Sequence, residues 1–166
     1  MYKKLAVFAA LFLIVPAVSN CQSSARESLR GLNGVFVYVH PVDSDVEKGG
    51  LTTSQIKSAV EAALHQAGIP MHGEPQPADG SANLAIEISV VKHPQGPYVY
   101  TAGVSLVQVV HLARLQVPDP LPAETWSSMK IGLTTANRTD LMLEPLKAAL
   151  SEFISDYLAV NPSPHR

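Results

Sequence analysis

The groups with which this 166-residue chain could bind a metal ion or transfer a proton are its six histidines and fourteen carboxylates. His40 lies closest to other such groups, because Asp43, Asp45 and Glu47 follow it along the chain. Alternating acids of this kind resemble a calcium-binding loop, which also needs a glycine at its sixth position and a glutamate at its twelfth. A lysine and a serine occupy those positions here, so the pattern favours a solvated loop without a metal.

A nucleophilic hydrolase would need a serine or cysteine beside a base and an orienting acid. Ser127 and Ser128 follow a tryptophan, but successive residues of a strand point to opposite faces of a sheet, so these two cannot act as a pair. Glu87 and Glu124 are the carboxylates that could serve glycoside hydrolysis, and nothing in the sequence distinguishes them from ordinary surface acids. We therefore expect no enzyme activity, no metal and no cofactor.

Cys21 is the only cysteine, and its position is informative. Residues 1–4 include two lysines, residues 5–18 are almost entirely apolar, and small residues follow, which is the pattern of a bacterial export signal. The segment ending in Cys21 resembles the lipobox of bacterial lipoproteins, which is cut before a cysteine that becomes acylated. The departure is Asn20, where the lipobox has a smaller residue. The alternative is cleavage after Ser19, which would release a soluble periplasmic protein.

The chain divides into residues 1–20 as signal peptide, 21–30 as polar tether, 31–160 as a single domain and 161–166 as tail. Without Lys3 and Lys4 the twelve basic side chains become ten, against fourteen acidic ones, so the mature chain carries a net charge of −4. The basic residues are scattered and not interleaved with aromatic ones, so we expect no binding to nucleic acid.

The elements follow the order β-α-β-β-β-α. Alternating or β-branched residues predict strands over 35–40, 83–92, 98–115 and 125–134. Helices are predicted over 51–69, with a capping box from Thr52 to Gln55, and over 141–159, with Asp140 as its N-cap. The expected fold is an α+β two-layer sandwich: a four-stranded mixed sheet with both helices on one face, which leaves the opposite face open.

Aromatic side chains are the candidates for a partner-binding surface on that open face. They come from three different strands, and exposed aromatic groups on a sheet often mark an interface. The residues are Phe36, Tyr38, Tyr98, Tyr100 and Trp126. The alternative places them in the core, or beneath the proline-rich loop over 117–122, which could fold over the same face.

Four segments carry a resemblance to a known family: LRGLNGVFVYV, LTTSQIKSAVEAALHQAGI, AETWSS and FISDYLAVNP. The stretch from Leu29 to Pro162 resembles a family of small, uncharacterised exported bacterial proteins of lipoprotein type. The topology is also similar to the amino-terminal domain of the translocation protein TolB and to the lipopolysaccharide-assembly lipoprotein. The resemblance implies location in the envelope and a role in docking partners, and it carries over no catalytic residue.

The favoured interpretation is a non-enzymatic envelope protein, exported to the periplasm and anchored to a membrane through acylated Cys21. Its sheet surface or sheet edge would bind a protein or a lipid-like partner. One alternative is a soluble periplasmic carrier that holds a small apolar ligand between the sheet and residues 117–122. A hydrolase with an unrecognised site is a further alternative.

Overall fold

A computed structural model describes residues 24–75, 81–92, 97–114, 120–135 and 137–162. The predicted signal peptide, the lipidation site Cys21 and the last four residues of the predicted tail lie outside this part of the chain. The elements are β1 (Gly34–Val39), α1 (Ser44–Lys48), α2 (Thr53–Gln66), β2 (Ser81–Lys92), β3 (Tyr98–Val110), β4 (Leu121–Thr134) and α3 (Leu143–Val160). A 3-10 turn over Thr139–Met142 leads into α3.

The four strands form one mixed sheet in the order β1-β2-β3-β4. β1 runs parallel to β2, because the chain returns through α2 before it enters β2. β2, β3 and β4 follow one another as an antiparallel meander. The predicted α+β class with a four-stranded mixed sheet is therefore confirmed, and the short helix α1 is an addition to the predicted order.

The core lies between one face of the sheet and the two long helices. Alternate residues of β1, β2 and β3 point into it, and apolar stripes of α2 and α3 meet them. The buried side chains at its centre are Val35, Leu84, Ile86, Leu106, Ile56, Leu64, Leu146 and Phe153. Since one sheet face supplies the strand residues of this core, both helices lie on that face.

α2 begins and ends as its sequence predicts. The Thr52 hydroxyl accepts a hydrogen bond from the backbone N–H of Gln55, and the Gln55 side chain accepts one from the backbone N–H of Thr52. At the other end Gly68 has φ +72°, and the backbone N–H of Ile69 donates to the carbonyl oxygen of Leu64. This Schellman ending stops the helix where the chain must turn toward β2.

The predicted tether is shorter than expected at its carboxyl end. Residues 24–27 form a helical turn, and Leu29 is fully buried in the core. Arg26 Nε lies 2.6 Å from Oδ1 of Asp156 on α3. The Asn161 side chain donates to the Leu29 carbonyl and accepts from the backbone N–H of Gly31. Residues 24–30 and Asn161 therefore belong to the folded domain, because they supply apolar contact and hydrogen bonds to it.

No helix in the described ranges is both long enough and apolar enough to span a bilayer.

Gly132 in β4 makes room for a buried aromatic ring. It pairs with Tyr100 of β3, and the tyrosine ring lies over the position that a side chain at residue 132 would occupy. A Cβ atom there would stand 2.5 Å from Cζ of Tyr100. Tyr100 is buried and pairs in turn with Val90 of β2, so the ring cannot move away freely.

We expect Gly132→Ala to lower the free energy of unfolding by about 1–3 kcal/mol, because the added methyl overpacks the site beneath Tyr100. Urea unfolding followed by the fluorescence of the single tryptophan measures the change. Gly103→Ala is the matched control, since a Cβ at that strand position meets its nearest neighbours at 4.0 Å. Equal stability of the two variants would contradict this account of Gly132.

Candidate functional site

The open face of the sheet carries a cluster of exposed apolar side chains at one corner. Val91 of β2 pairs with Val99 of β3, and Val99 pairs with Leu133 of β4. Ile131 and Met129 continue the row along β4 on the same face. Their exposed fractions are 70% for Val91, 41% for Val99, 67% for Met129, 75% for Ile131 and 67% for Leu133. We refer to these five residues as the apolar patch.

The apolar patch exists because β4 turns its polar side toward the helices. Ser128 and Lys130 both contact Glu152 of α3, with distances of 2.5 Å from Ser128 Oγ and from Lys130 Nζ to the carboxylate oxygens. The hydrogen bond from Lys130 is the main reason that the pKa of Glu152 lies below its usual range, and the bond from Ser128 adds to it. With lysine and serine held on the helix side, the alternating apolar residues of β4 face outward.

The centre of the same open face is polar. His40, Glu87, Glu124 and Ser127 line a depression of about 110 Å³ between β1 and β4. These are residues that the sequence singles out for possible chemistry, and the sheet brings them together. Within the described ranges, no hydrogen bond joins His40 to Ser127, and Glu87 accepts a hydrogen bond from Ser89. A nucleophile paired with a base is therefore not formed here.

The depression also bears on the two alternative functions. A carrier for a small apolar ligand needs an enclosed, mostly apolar pocket, with a volume of about 300 Å³ or more. The depression is smaller, and charged and hydroxyl groups share its lining with Ala85, Val104 and Met129. Leu121 and Pro122, predicted as part of a covering loop, are the first residues of β4. Residues 117–119 of that loop lie outside the described residues.

Within the described ranges, no three side chains of histidine, cysteine, aspartate or glutamate lie close enough together to hold a metal ion. The acidic loop after His40 serves another purpose. Asp43 caps α1 by accepting from the backbone N–H of Asp45, and this bond, followed by one from Lys92, lowers the Asp43 pKa. Lys92 Nζ lies 2.7 Å from Asp45 Oδ2 and lowers the pKa of that carboxyl too. The acids thus join α1 to the end of β2.

The five predicted aromatic residues are divided between the two faces of the sheet. Phe36 and Tyr38 stand on the open face of β1, where Phe36 is half-buried and Tyr38 is 46% exposed. Tyr98 is half-buried on the helix side, beside α1. Tyr100 and Trp126 are each only 4% exposed. The prediction that all five share one exposed surface is therefore corrected, because the register of β3 and β4 turns three of them toward the helices.

Trp126 is held in the core by specific contacts. Its ring packs edge-on against Phe153 of α3, with 5.3 Å between ring centroids. Its indole N–H donates to Oδ2 of Asp156 at 3.0 Å, and the other oxygen of that carboxylate binds Arg26. Trp126 therefore links β4, α3 and the amino-terminal turn.

No model of a protein family matches this chain, and no curated protein matches it in sequence. Among solved structures, the chain is similar to a crystal structure of a minor lipoprotein from Acinetobacter baumannii, with 6% sequence identity and a TM-score of 0.29. That match covers 78% of this chain and 93% of the other. A similarity of this size carries no argument about activity or partners, so the resemblance to exported lipoproteins stays a prediction.

We expect Trp126→Ala to lower the free energy of unfolding by about 3–5 kcal/mol, because it leaves a cavity against Phe153 and removes one of the two hydrogen-bond donors to Asp156. Chemical unfolding followed by far-ultraviolet circular dichroism gives the value. Tyr38→Ala is the matched control: its ring is nearly half exposed, so its loss should cost less than about 1 kcal/mol. A Trp126→Ala protein as stable as the Tyr38→Ala protein would show that Trp126 belongs to the surface.

Proposed function

We propose that this protein is a non-enzymatic component of the bacterial envelope that binds an apolar partner surface on the open face of its sheet. The partner is an envelope protein or a lipid-like molecule, and the binding surface is the apolar patch. Acylation of Cys21 would anchor the protein to a membrane. The observation that carries the proposal is the exposure of five neighbouring apolar side chains on a face that the helices do not cover.

Burial of this surface would be favourable. Moving one large aliphatic side chain from water to an apolar environment contributes about 1.5–3 kcal/mol. Met129, Ile131 and Leu133 lie side by side on β4 with about two-thirds or more of each side chain exposed. Isolated exposed apolar residues are common, whereas contiguous groups of them mark interaction surfaces. A partner that covers the patch would gain this contribution without any change in the fold.

The polar residues around the patch would fix the orientation of a bound partner on the sheet. Glu87 and Ser89 on β2 and Thr101 on β3 border the patch on the same face. An apolar centre with a polar rim is the usual composition of a specific protein interface. A partner with apolar side chains opposite β4 and hydrogen-bonding groups opposite β2 fits this arrangement.

The proposed anchor is tested by the intact mass of the protein, expressed in a bacterium with its own signal sequence. We expect the mass of a chain that begins at Cys21 and carries acyl groups. Cys21→Ala serves as the control, and it should yield neither that cleavage product nor the added lipid mass. A wild-type chain cleaved after Ser19 and free of lipid would reject the anchor and leave a soluble periplasmic protein.

The proposed binding face is tested by photo-cross-linking in intact cells, with p-benzoylphenylalanine replacing one residue at a time. We expect adducts with one partner species when the label replaces Val91 or Val99. Val109 is the matched control, because it is 43% exposed on the same face but at the other end of β3. The mass of the adduct distinguishes a protein from a lipid. Equal labelling from all three positions, or none from any, would contradict a partner site at the patch.

A further inference from the structure

We propose that β4 pairs along its outer edge with β4 of a second copy, antiparallel, about a twofold axis at Ile131. Two four-stranded sheets would then form one continuous eight-stranded sheet. The inference goes beyond the proposed function, because it concerns the edge of the sheet and the proposed function concerns its open face. It names a second copy of this chain as the occupant of that edge.

The outer edge of β4 is available for pairing. β4 is the last strand in the sheet order, with β3 as its one neighbour among the described strands. Edge strands are usually protected from pairing by prolines, bulges or charged residues. In β4 the proline, Pro122, and the bulge, at Thr125, both lie in the first half of the strand. From Trp126 to Thr134 the pairing with β3 is regular.

The charge in this second half does not oppose pairing. Lys130 is the single charged residue between Trp126 and Thr134. Its ammonium group lies 2.5 Å from a carboxylate oxygen of Glu152 in the same chain. The pair is neutral, so two copies of it can approach each other without repulsion between like charges. Edge lysines that protect strands elsewhere are free to project toward the incoming strand, and this one is held back over its own helix.

The arrangement of side chains selects one register. With the axis at Ile131, Met129 faces Leu133 of the second copy, and the two Ile131 side chains face each other. Three apolar cross-strand pairs result on the open face. On the helix side Lys130 lies opposite Gly132 of the second copy, which has no side chain to obstruct it. An axis at Lys130 would instead place two lysines directly opposite, which is unfavourable.

The dimer would also join the two apolar patches. Each patch extends from β4 across β3 to Val91 on β2. Because the pairing brings the two β4 strands side by side, the patches would become one apolar surface across the middle of the joined sheet. The open face of each copy stays uncovered, so the second copy at the edge leaves room for the proposed partner at the face.

The test is disulfide cross-linking of the full-length chain in cells, with copper phenanthroline as the oxidant of the two thiols. At the axis the two Ile131 Cα atoms would lie about 4.5–5.5 Å apart, which is within the range of a disulfide. We therefore expect Ile131→Cys to give a covalent dimer on a non-reducing gel. Val91→Cys is the matched control, as similarly exposed on the same face. Five strand spacings would separate its two copies, about 24 Å.

The wild-type chain is a second control: any covalent dimer that it forms must come from Cys21, its only cysteine. Both substituted positions are largely exposed, so the variants should accumulate as the wild type does, and their amounts are measured on the reducing gel. No dimer from Ile131→Cys, or equal dimer from both variants, would overturn the inference. Photo-cross-linking at Val91 to a partner other than a second copy would still support the proposed function, so the two failures are distinguishable.

Discussion

Two helices of ordinary length cover one face of a four-stranded sheet, and the rest of this structure follows from which face they cover. α2 and α3 pack on the face that carries Val35, Leu84 and Leu106. The other face has no layer of secondary structure over it among the described residues. A sheet with one covered face usually alternates apolar and polar residues along each strand. β2 largely keeps to that rule, whereas β1 turns Phe36 and Tyr38 outward and β4 departs further.

The departure in β4 comes from the contacts of this strand with α3. Glu152 on α3 offers a carboxylate to the helix side of the strand, and Ser128 and Lys130 bind it there. At Gly132, the ring of Tyr100 occupies the space that a side chain would fill. A lysine, a serine and a glycine thus occupy positions that face the helices, and the aliphatic residues between them face outward. The contacts that complete the fold and the surface available to partners therefore depend on the same register.

Local patterns in the sequence predicted most of the fold but not the candidate site. The capping box at Thr52, the glycine that ends α2 and the alternation in β2 each depend on a few neighbouring residues. The orientation of β4 depends on contacts with α3, more than twenty residues away, chiefly the packing of buried Trp126 on Phe153 and then the bonds of Ser128 and Lys130 to Glu152. Alternation alone therefore could not tell the inner side of the strand from its outer side. For the same reason, the sequence leaves both a surface position and a core position open for Trp126. Asp140 was expected to cap α3, but it binds Arg138, and a 3-10 turn leads into the helix instead.

The packing of residues 24–30 on the domain has a consequence for how far the protein could stand from a bilayer. With Cys21 acylated as proposed, the link from the lipid to Ser24 spans three residue steps, at most about 11 Å of extended chain. The domain would then lie close to the lipid headgroups, because no long flexible linker separates it from the bilayer. The ion pair of Arg26 with Asp156 and the hydrogen bonds of Asn161 keep the linker short, because they bind residues 26–31 to the domain.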